Sequence, residues 1–218
     1  MKLQLPRGTR DFAPEDKILR DMVVRVLKNV FELHGYAPLE TPTFERFDML
    51  SSKFTGGAEI LKETFRFKDQ GNRELALRYD LTVPFSRFIA MNPTMKFPFK
   101  RYQIGEVYRD GPVAVARFRQ FLQCDVDVVG SKKMATDAEI IDLTKTVFEK
   151  LNLEVVIKVN NRKVLNDILG FCGVSEDGYE TVILTLDKLE KFGDKVVKEE
   201  LKKKGIELKI VNKILKLI

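Results

Sequence analysis

The segment from residue 121 to residue 129 alternates polar and apolar side chains, as a β-strand does. Its polar side carries Gln123, Asp125 and Asp127, and its other side carries apolar residues and Cys124. A strand that has neighbours normally buries both faces, so three successive polar positions on one side indicate either solvent or a polar pocket. This segment alone leaves both interpretations open.

Three arginines lie close to this polar side along the chain. Arg109 ends the strand-like segment 100–109, and Arg117 and Arg119 lie on the connection 110–120 that leads back to residue 121. Arginines beside carboxylates and an amide suit an anionic ligand that also has a cationic or hydrogen-bond-donating end. Salt bridges that only join the two strands are the alternative.

Asp80 and Thr82 form a third polar group, since they follow one strand-like segment and precede a helical one. Short polar side chains at a strand end are well placed to bind a ligand, although such residues before a helix often serve only as its N-cap. The chain has neither a GxxxxGK[ST] loop nor a GxGxxG turn. A nucleotide would therefore be bound by arginines on an antiparallel sheet.

The composition excludes several classes of site. Two cysteines cannot form a disulfide framework or a cysteine-rich zinc site, and the single histidine, His34, excludes HExxH chemistry. We assign no metal-ligating residues, and any metal would need oxygen ligands. No apolar run approaches the roughly 20 residues that cross a bilayer, and residues 1–10 lack a signal-peptide stretch, so we expect a cytoplasmic protein.

The net charge of +6 is uneven, because residues 187–218 hold ten lysines against six acidic residues. Such a basic tail could touch a phosphate backbone, but a lysine-rich helix face in solvent is the commoner explanation. Charge alone therefore does not identify a nucleic-acid-binding protein.

Periodicity and turn residues predict the elements that position these side chains. A long amphipathic helix over 14–34 precedes Thr41-Pro42, which we expect at a strand end or edge. Thr136 and Glu139 form the pattern of a capping box, and Gly56-Gly57 predicts a turn. Strands are predicted over 64–68, 73–79, 100–109, 121–129 and 154–159, and further helices over 136–151, 163–171, 179–189, 194–204 and 208–217.

This order of elements predicts an α+β fold. Residues 1–172 form an antiparallel sheet flanked by helices, and residues 173–218 form a small helical segment. We place the boundary at Gly173–Gly178, where two glycines flank a short polar stretch and only helical patterns follow.

Taken together, these segments resemble the class II aminoacyl-tRNA synthetases and, among them, the histidyl-tRNA synthetases of the archaeal and eukaryotic kind. The resemblance covers nearly the whole chain and depends on the order and spacing of the motifs. The matching stretches are Pro6–Phe12 as the N-terminal signature, the long helix followed by Glu40–Glu45 as motif 1, Tyr108–Pro112 and Arg117–Phe121 as motif 2, Gln123–Asp127 as its continuation, and Val159–Leu165 and Cys172–Ser175 before a helical insertion.

The resemblance implies a class II catalytic sheet that joins histidine and ATP, with Mg²⁺, as histidyl-adenylate and passes the histidyl group to tRNA(His). Asp80, Leu81 and Thr82 would hold the α-ammonium group of histidine, Leu81 through its backbone. Gln123 and Asp127 would line the side-chain pocket, with Asp127 accepting a hydrogen bond from the imidazole ring.

The resemblance also implies roles for the arginines and for the dimer. Arg109, the residue assigned to catalysis, would contact both the α-phosphate and the substrate carboxylate, and Arg117 would contact the outer phosphates. Asp110 would replace a glutamate that many relatives use in the ATP site, because the loop here departs from their pattern. Motif 1 would join two copies of the chain as a homodimer.

Three features of the family are missing from these 218 residues: an Arg-Gly-Leu-x-Tyr-Tyr histidine signature, motif 3 and the anticodon-binding domain. We therefore expect the N-terminal part of a synthetase, with a truncated insertion over 173–218, that is inactive or weak in aminoacylation by itself. One alternative is a catalytically silent paralogue such as an ATP phosphoribosyltransferase regulatory subunit. Another is a tRNA-binding or dimerisation module that uses the basic tail.

Overall fold

The computed structural model describes residues 3–52 and 61–217, so the turn expected at Gly56-Gly57 lies outside the described residues. Contacts within the chain divide it into two compact units, Met1–Val155 and Val156–Ile218. The first unit is mixed α+β and the second is helical. The α+β fold expected from the sequence is confirmed.

The first unit holds two small sheets with helices around them. One sheet has the strand order β1-β5-β6, in which β1 runs parallel to β5 and β5 runs antiparallel to β6, and the other has the antiparallel order β2-β4-β3. The elements in chain order are α1 (Pro14–Leu33), β1 (Ala37–Pro38), β2 (Phe44–Arg46), α2 (Phe47–Ser52), β3 (Arg66–Lys68), β4 (Glu74–Leu77), α3 (Thr82–Met91), β5 (Phe99–Tyr108), β6 (Gln120–Val129) and α4 (Met134–Lys150).

Helix α1 forms where the sequence predicts it. Pro14 opens its first turn, Glu15 and Asp16 lie at the positive end of the helix dipole, and Gly35 follows its end with a φ of 76° that a side chain would disfavour. Apolar residues of α1 and α4 pack on one face of the β5–β6 pair. The buried members of this core are Val30, Phe31, Tyr36, Tyr102, Leu143 and Val147. The opposite face of the same two strands is therefore left for the polar side chains.

The capping box expected at the start of α4 is wrong. The helix begins two residues earlier, at Met134, and the Thr136 hydroxyl lies 2.7 Å from the hydroxyl of Ser131. Glu139 pairs with Lys100 of β5. A loop residue five positions before Thr136 and a lysine of β5 thus engage the side chains that a local cap would have used.

The strand expected over 154–159 is also wrong, because residues 153–160 have no regular secondary structure. Val156 is 87% exposed and Val159 is 68% exposed. A β-prone sequence becomes a strand only when its backbone groups join a sheet, and neither of the described sheets includes this segment.

The second unit consists of short helices around a core of its own. They are α5 (Arg162–Cys172), a 3₁₀ turn (Glu176–Gly178), α6 (Tyr179–Leu186), α7 (Leu189–Lys203, interrupted at Gly193) and α8 (Leu208–Ile214). Leu169 and Cys172 of α5 lie in the same buried cluster as Val182, Leu201 and Val211. The domain boundary predicted from the sequence separates α5 from the helices that follow it. In the structure α5 packs with those helices.

Among the helices of residues 3–52 and 61–217, none has the length and apolar character that crossing a membrane requires.

Candidate functional site

The antiparallel register of β5 and β6 brings the predicted polar side chains onto one face. The residues that lie opposite one another on this face are Arg101 and Asp127, Gln103 and Asp125, and Gly105 and Gln123. Arg101 and Gln103 are buried, whereas the Asp127 side chain keeps 32% of its surface exposed. The face is therefore a polar surface that is partly buried, and the Arg101 charge is its most deeply buried group.

Asp127 lies directly beside a buried guanidinium. Oδ2 of Asp127 is 2.5 Å from Nη2 of Arg101, which has no exposed surface. Burial raises the pKa of Asp127, the charge of Arg101 lowers it, and the neighbouring carboxyls of Asp125 and Asp80 raise it further, so the net direction is upward. One arginine thus faces three acidic side chains in this part of the site.

Gln123 is held by its neighbour two residues along the strand. Its Nε2 donates a hydrogen bond of 2.8 Å to Oδ1 of Asp125, and its buried Oε1 has no hydrogen-bond partner among the described residues. A buried acceptor without a partner costs free energy unless a ligand or water satisfies it. Gln123 can therefore accept a hydrogen bond from a bound molecule.

The segment Asp80-Leu81-Thr82 leads from the β2-β4-β3 sheet into the first turn of α3. Oδ1 of Asp80 accepts a hydrogen bond of 2.9 Å from the backbone N–H of Val83, as a helix-capping side chain does. Leu81 is fully buried, and its carbonyl oxygen lies 3.4 Å from Nη2 of Arg101. Asp80 therefore accepts a hydrogen bond from the first turn of α3 from the position before the N-cap residue Leu81, and Leu81 also contacts Arg101.

Arg109 is fixed at the end of β5 by two aromatic rings. Its guanidinium carbon lies 4.4 Å from the ring centre of Tyr79 and 5.0 Å from that of Phe121, and its Nε donates a hydrogen bond of 3.2 Å to the carbonyl of Tyr79. Stacking on aromatic rings, together with the hydrogen bond from Nε, orients the planar group. Arg109 is thus held in one orientation before any anion binds.

Arg117 lies with Arg109 around a cavity of about 260 Å³. Apart from these arginines, the cavity is lined by Gly111, Pro112, Ala116, Phe118 and Phe121. Nη2 of Arg117 is 3.5 Å from Oε1 of Glu63, and its side chain is 57% exposed. A pocket with two guanidinium groups and an aromatic wall suits a ligand that carries phosphates and a ring.

Asp110 does not line this cavity. Its carboxylate pairs with Nη1 of Arg119 at 3.0 Å, and its backbone N–H donates a hydrogen bond of 2.7 Å to the carbonyl of Glu63. Glu63 also accepts a hydrogen bond from the Tyr79 hydroxyl at 3.2 Å. In the structure Asp110 therefore stabilises the loop through its contacts with Arg119 and Glu63. Its assignment to ATP stays a prediction.

Gly105 is required by an arginine that passes beneath it. A Cβ atom at residue 105 would lie 2.6 Å from Nη2 of Arg78. Arg78 is buried, and it donates hydrogen bonds to the carbonyls of Glu106 at 2.7 Å and of Thr41 at 2.8 Å. The missing side chain thus lets one guanidinium join β5 to the segment before β2.

Gly105→Ala is expected to lower the free energy of unfolding by about 1–3 kcal/mol, because the added methyl group must displace a hydrogen-bonded arginine from a packed position. Urea unfolding measures this loss. The matched control is Gly71→Ala in the exposed β3–β4 turn, where the nearest atom is the carboxylate oxygen of Asp69 at 3.3 Å. Equal stability of the two variants would contradict the tight packing over Arg78.

Three residues that organise this site were not predicted from the sequence: Arg78, Arg101 and Glu63. For Arg101 a signal was present, because alternation along 100–109 places it on the same side as Arg109 and at the strand end opposite Asp127. For Arg78 and Glu63 no local signal existed, since their partners lie far away in the chain. The predicted residues Asp80, Leu81 and Asp127 gather around Arg101, and Arg109 and Arg117 share the cavity at the other end of β5.

A profile of one protein family, described as histidyl-tRNA synthetase, matches residues 8–209 of the chain. A curated relative, "Histidine--tRNA ligase 2" of Shouchella clausii, is 50% identical over 208 residues, which are 95% of this chain and 49% of the relative. The chain spans about half the length of the curated relatives it matches.

Solved structures agree with the profile. The histidyl-tRNA synthetase of Nostoc sp. PCC 7120 superposes with a TM-score of 0.86 at 34% identity, over 99% of this chain and 48% of that one. A Bacillus halodurans protein described as an ATP phosphoribosyltransferase regulatory subunit/histidyl-tRNA synthetase reaches 0.80 at 20% identity, over 100% and 55%, which shows the shared fold alone. These relatives are bacterial, so they give no support to the archaeal side of the resemblance.

Proposed function

This chain belongs to the histidyl-tRNA synthetase family, and we propose that it supplies the histidine- and ATP-binding face of an enzyme that activates histidine and charges tRNA(His). The observation that carries this proposal is the polar face of β5 and β6. An acidic cluster around Asp127 lies on that face near the start of β5, and an arginine-lined cavity at Arg109 lies just beyond the end of β5. Histidyl-adenylate has the complementary layout, with a cationic amino-acid end and an anionic phosphate end.

The acidic cluster is proposed as the histidine subsite. Asp127 and the unpaired Oε1 of Gln123 would accept hydrogen bonds from N–H groups of the substrate. Asp80, at the start of α3, would face the α-ammonium group together with Thr82 and the backbone of Leu81. A site with buried partners for imidazole rejects ligands that lack its N–H groups, because those partners would then stay unpaired.

The arginine-lined cavity is proposed as the phosphate subsite. A carboxylate oxygen of histidine would attack the α-phosphorus of ATP, the bond from that phosphorus to the bridging oxygen would break, and pyrophosphate would leave. The reaction brings two anions together, so Arg109 would act by positioning them and by offsetting their charge. Arg117 would contact the outer phosphates, and Mg²⁺ bound to them would supply further positive charge.

Titration with a non-hydrolysable histidyl-adenylate analogue in a calorimeter tests the proposal, because this ligand spans both subsites. We expect saturable binding by this chain and no comparable binding of the alanyl analogue, since alanine leaves Asp127 and Gln123 without partners. Equal affinity for the two analogues would overturn the assignment of the acidic cluster to histidine.

The proposal also covers assembly and tRNA. Helix α1 leaves large apolar side chains exposed, among them Ile18 at 70% and Leu19 at 57%, beside a groove of about 490 Å³ between α1 and β6. Such a surface supports homodimer formation through motif 1, in which this helix precedes residues 40–45. Sedimentation equilibrium tests this, and a monomer at high protein concentration would contradict it.

Binding of tRNA(His) is proposed from the family alone.

The silent regulatory paralogue remains the rival function, since a protein with that description shares the fold. Histidine-dependent exchange between ATP and pyrophosphate, assayed in a protein that joins this chain to the remaining half found in its relatives, separates the two. Exchange supports the synthetase, and histidine binding without exchange supports the regulatory subunit.

A further inference from the structure

Arg101 is the most deeply buried charged residue of the polar face, and the proposed roles leave it without a function. It has no exposed surface, its guanidinium carbon lies 4.3 Å from the ring centre of Phe85, and its Nη2 reaches both Asp127 and the carbonyl of Leu81. Its Nε and Nη1 have no hydrogen-bond partner within the described part of the chain. A buried charge with so few hydrogen bonds is costly, so stability alone gives little reason to keep it.

The surroundings of Arg101 are acidic. The charges of Asp127 and Asp125 of β6 and of Asp80 before α3 all act on Arg101. The charge of Asp127 also acts on the phenol of Tyr36. Without the guanidinium, burial and the two neighbouring carboxyls would all favour the protonated form of Asp127. Arg101 is the basic side chain in contact with Asp127 that opposes this tendency.

We propose that Arg101 is a positioning residue for histidine, which keeps the Asp127 carboxylate ionised and oriented so that it accepts an N–H from the imidazole ring. This inference rests on the proposed function, because it assigns Arg101 to the same subsite. Arg101 lies beneath Asp127 and acts through it, since Arg101 is fully buried whereas Asp127 is partly exposed. A protonated Asp127 would present an O–H donor where the substrate offers its own N–H, and histidine would lose its recognition partner.

Two readouts test the inference in this chain. Carbon-13 NMR of the carboxyl groups follows the titration of Asp127 directly and needs no ligand. Arg101→Met, which keeps most of the side-chain length without the charge, should raise the pKa of Asp127 above its value in the parent chain. An unchanged titration would overturn the inference. Because the carboxylate is then lost at a higher pH, binding of the histidyl-adenylate analogue by the variant should weaken earlier as the pH is lowered.

A double-mutant cycle separates positioning from general packing. Arg101→Met should weaken binding of the histidyl-adenylate analogue by roughly 30-fold or more, as removal of one partner of a buried charge pair does. In an Asp127→Asn background the same change should cost little further affinity, because its target is already absent. An equal loss in both backgrounds would overturn the inference, since Arg101 would then only shape the pocket.

Arg101→Lys is the second variant, and it decides the question if Arg101→Met does not fold. Lysine keeps the charge but loses the planar group, so Asp127 should titrate near its parent value while the analogue binds more weakly. Binding as tight as in the parent chain would contradict an orienting role. If the parent chain itself does not bind the analogue, the proposed function fails, and the NMR titration still decides whether Arg101 ionises Asp127.

Discussion

Removal of the Asp127 carboxylate is expected to abolish detectable binding of histidine while leaving the affinity for ATP unchanged. Asp127 of β6 lies opposite Arg101 of β5, and it does not line the cavity of Arg109 and Arg117. Histidine would lose its charged acceptor and face a guanidinium whose charge is no longer offset, which costs roughly 100-fold or more in affinity. Calorimetric titration of Asp127→Ala and Asp127→Asn with L-histidine, and separately with ATP, measures both effects.

The two substitutions differ in their expected stability. Asp127→Ala leaves the Arg101 charge buried and unpaired, whereas Asp127→Asn keeps the volume and a carbonyl acceptor near it. Asp142→Asn is the matched control, because it removes a 70% exposed carboxylate on α4, which packs on the opposite face of the strands. Unchanged histidine affinity in a folded Asp127→Asn variant would refute the assignment of this subsite.

Arg109→Ala is expected to weaken binding of both ATP and the histidyl-adenylate analogue by roughly 10- to 100-fold, the loss associated with hydrogen bonds to a charged group. The two ligands share the α-phosphate, and Arg109 is held towards its cavity by Tyr79 and Phe121. Arg109→Lys should recover only part of the affinity, because an ammonium group neither stacks in the same way nor donates in a planar fork.

Arg117→Ala is the internal control for Arg109. The adenylate has no outer phosphates, so loss of Arg117 should weaken ATP binding and spare the analogue. Arg117 is 57% exposed and paired at 3.5 Å with Glu63, so its removal should disturb the fold little. If both variants weakened both ligands equally, the division of the cavity into α-phosphate and outer-phosphate contacts would be refuted.

Local sequence was sufficient for the elements whose pattern repeats within a few residues. Alternation along 121–129 predicted β6 and its polar side, and apolar spacing predicted α1 to within one residue of its end. The order of the motifs also pointed to the synthetase family that the profile match shows. These features depend on side-chain periodicity and on glycine and proline, which act locally.

Tertiary contacts decided the rest. The sequence could not show that residues 153–160 join neither of the described sheets, that α5 packs with the second unit, or that Lys100 of β5 pairs with Glu139 of the expected capping box. The sequence placed Gln123, Asp125 and Asp127 on one side, but only the register of β6 against β5 set Asp127 beside Arg101. Burial and ion pairing depend on which distant segments meet, and the pKa of a carboxyl depends on its burial and on the charges that those segments bring to it.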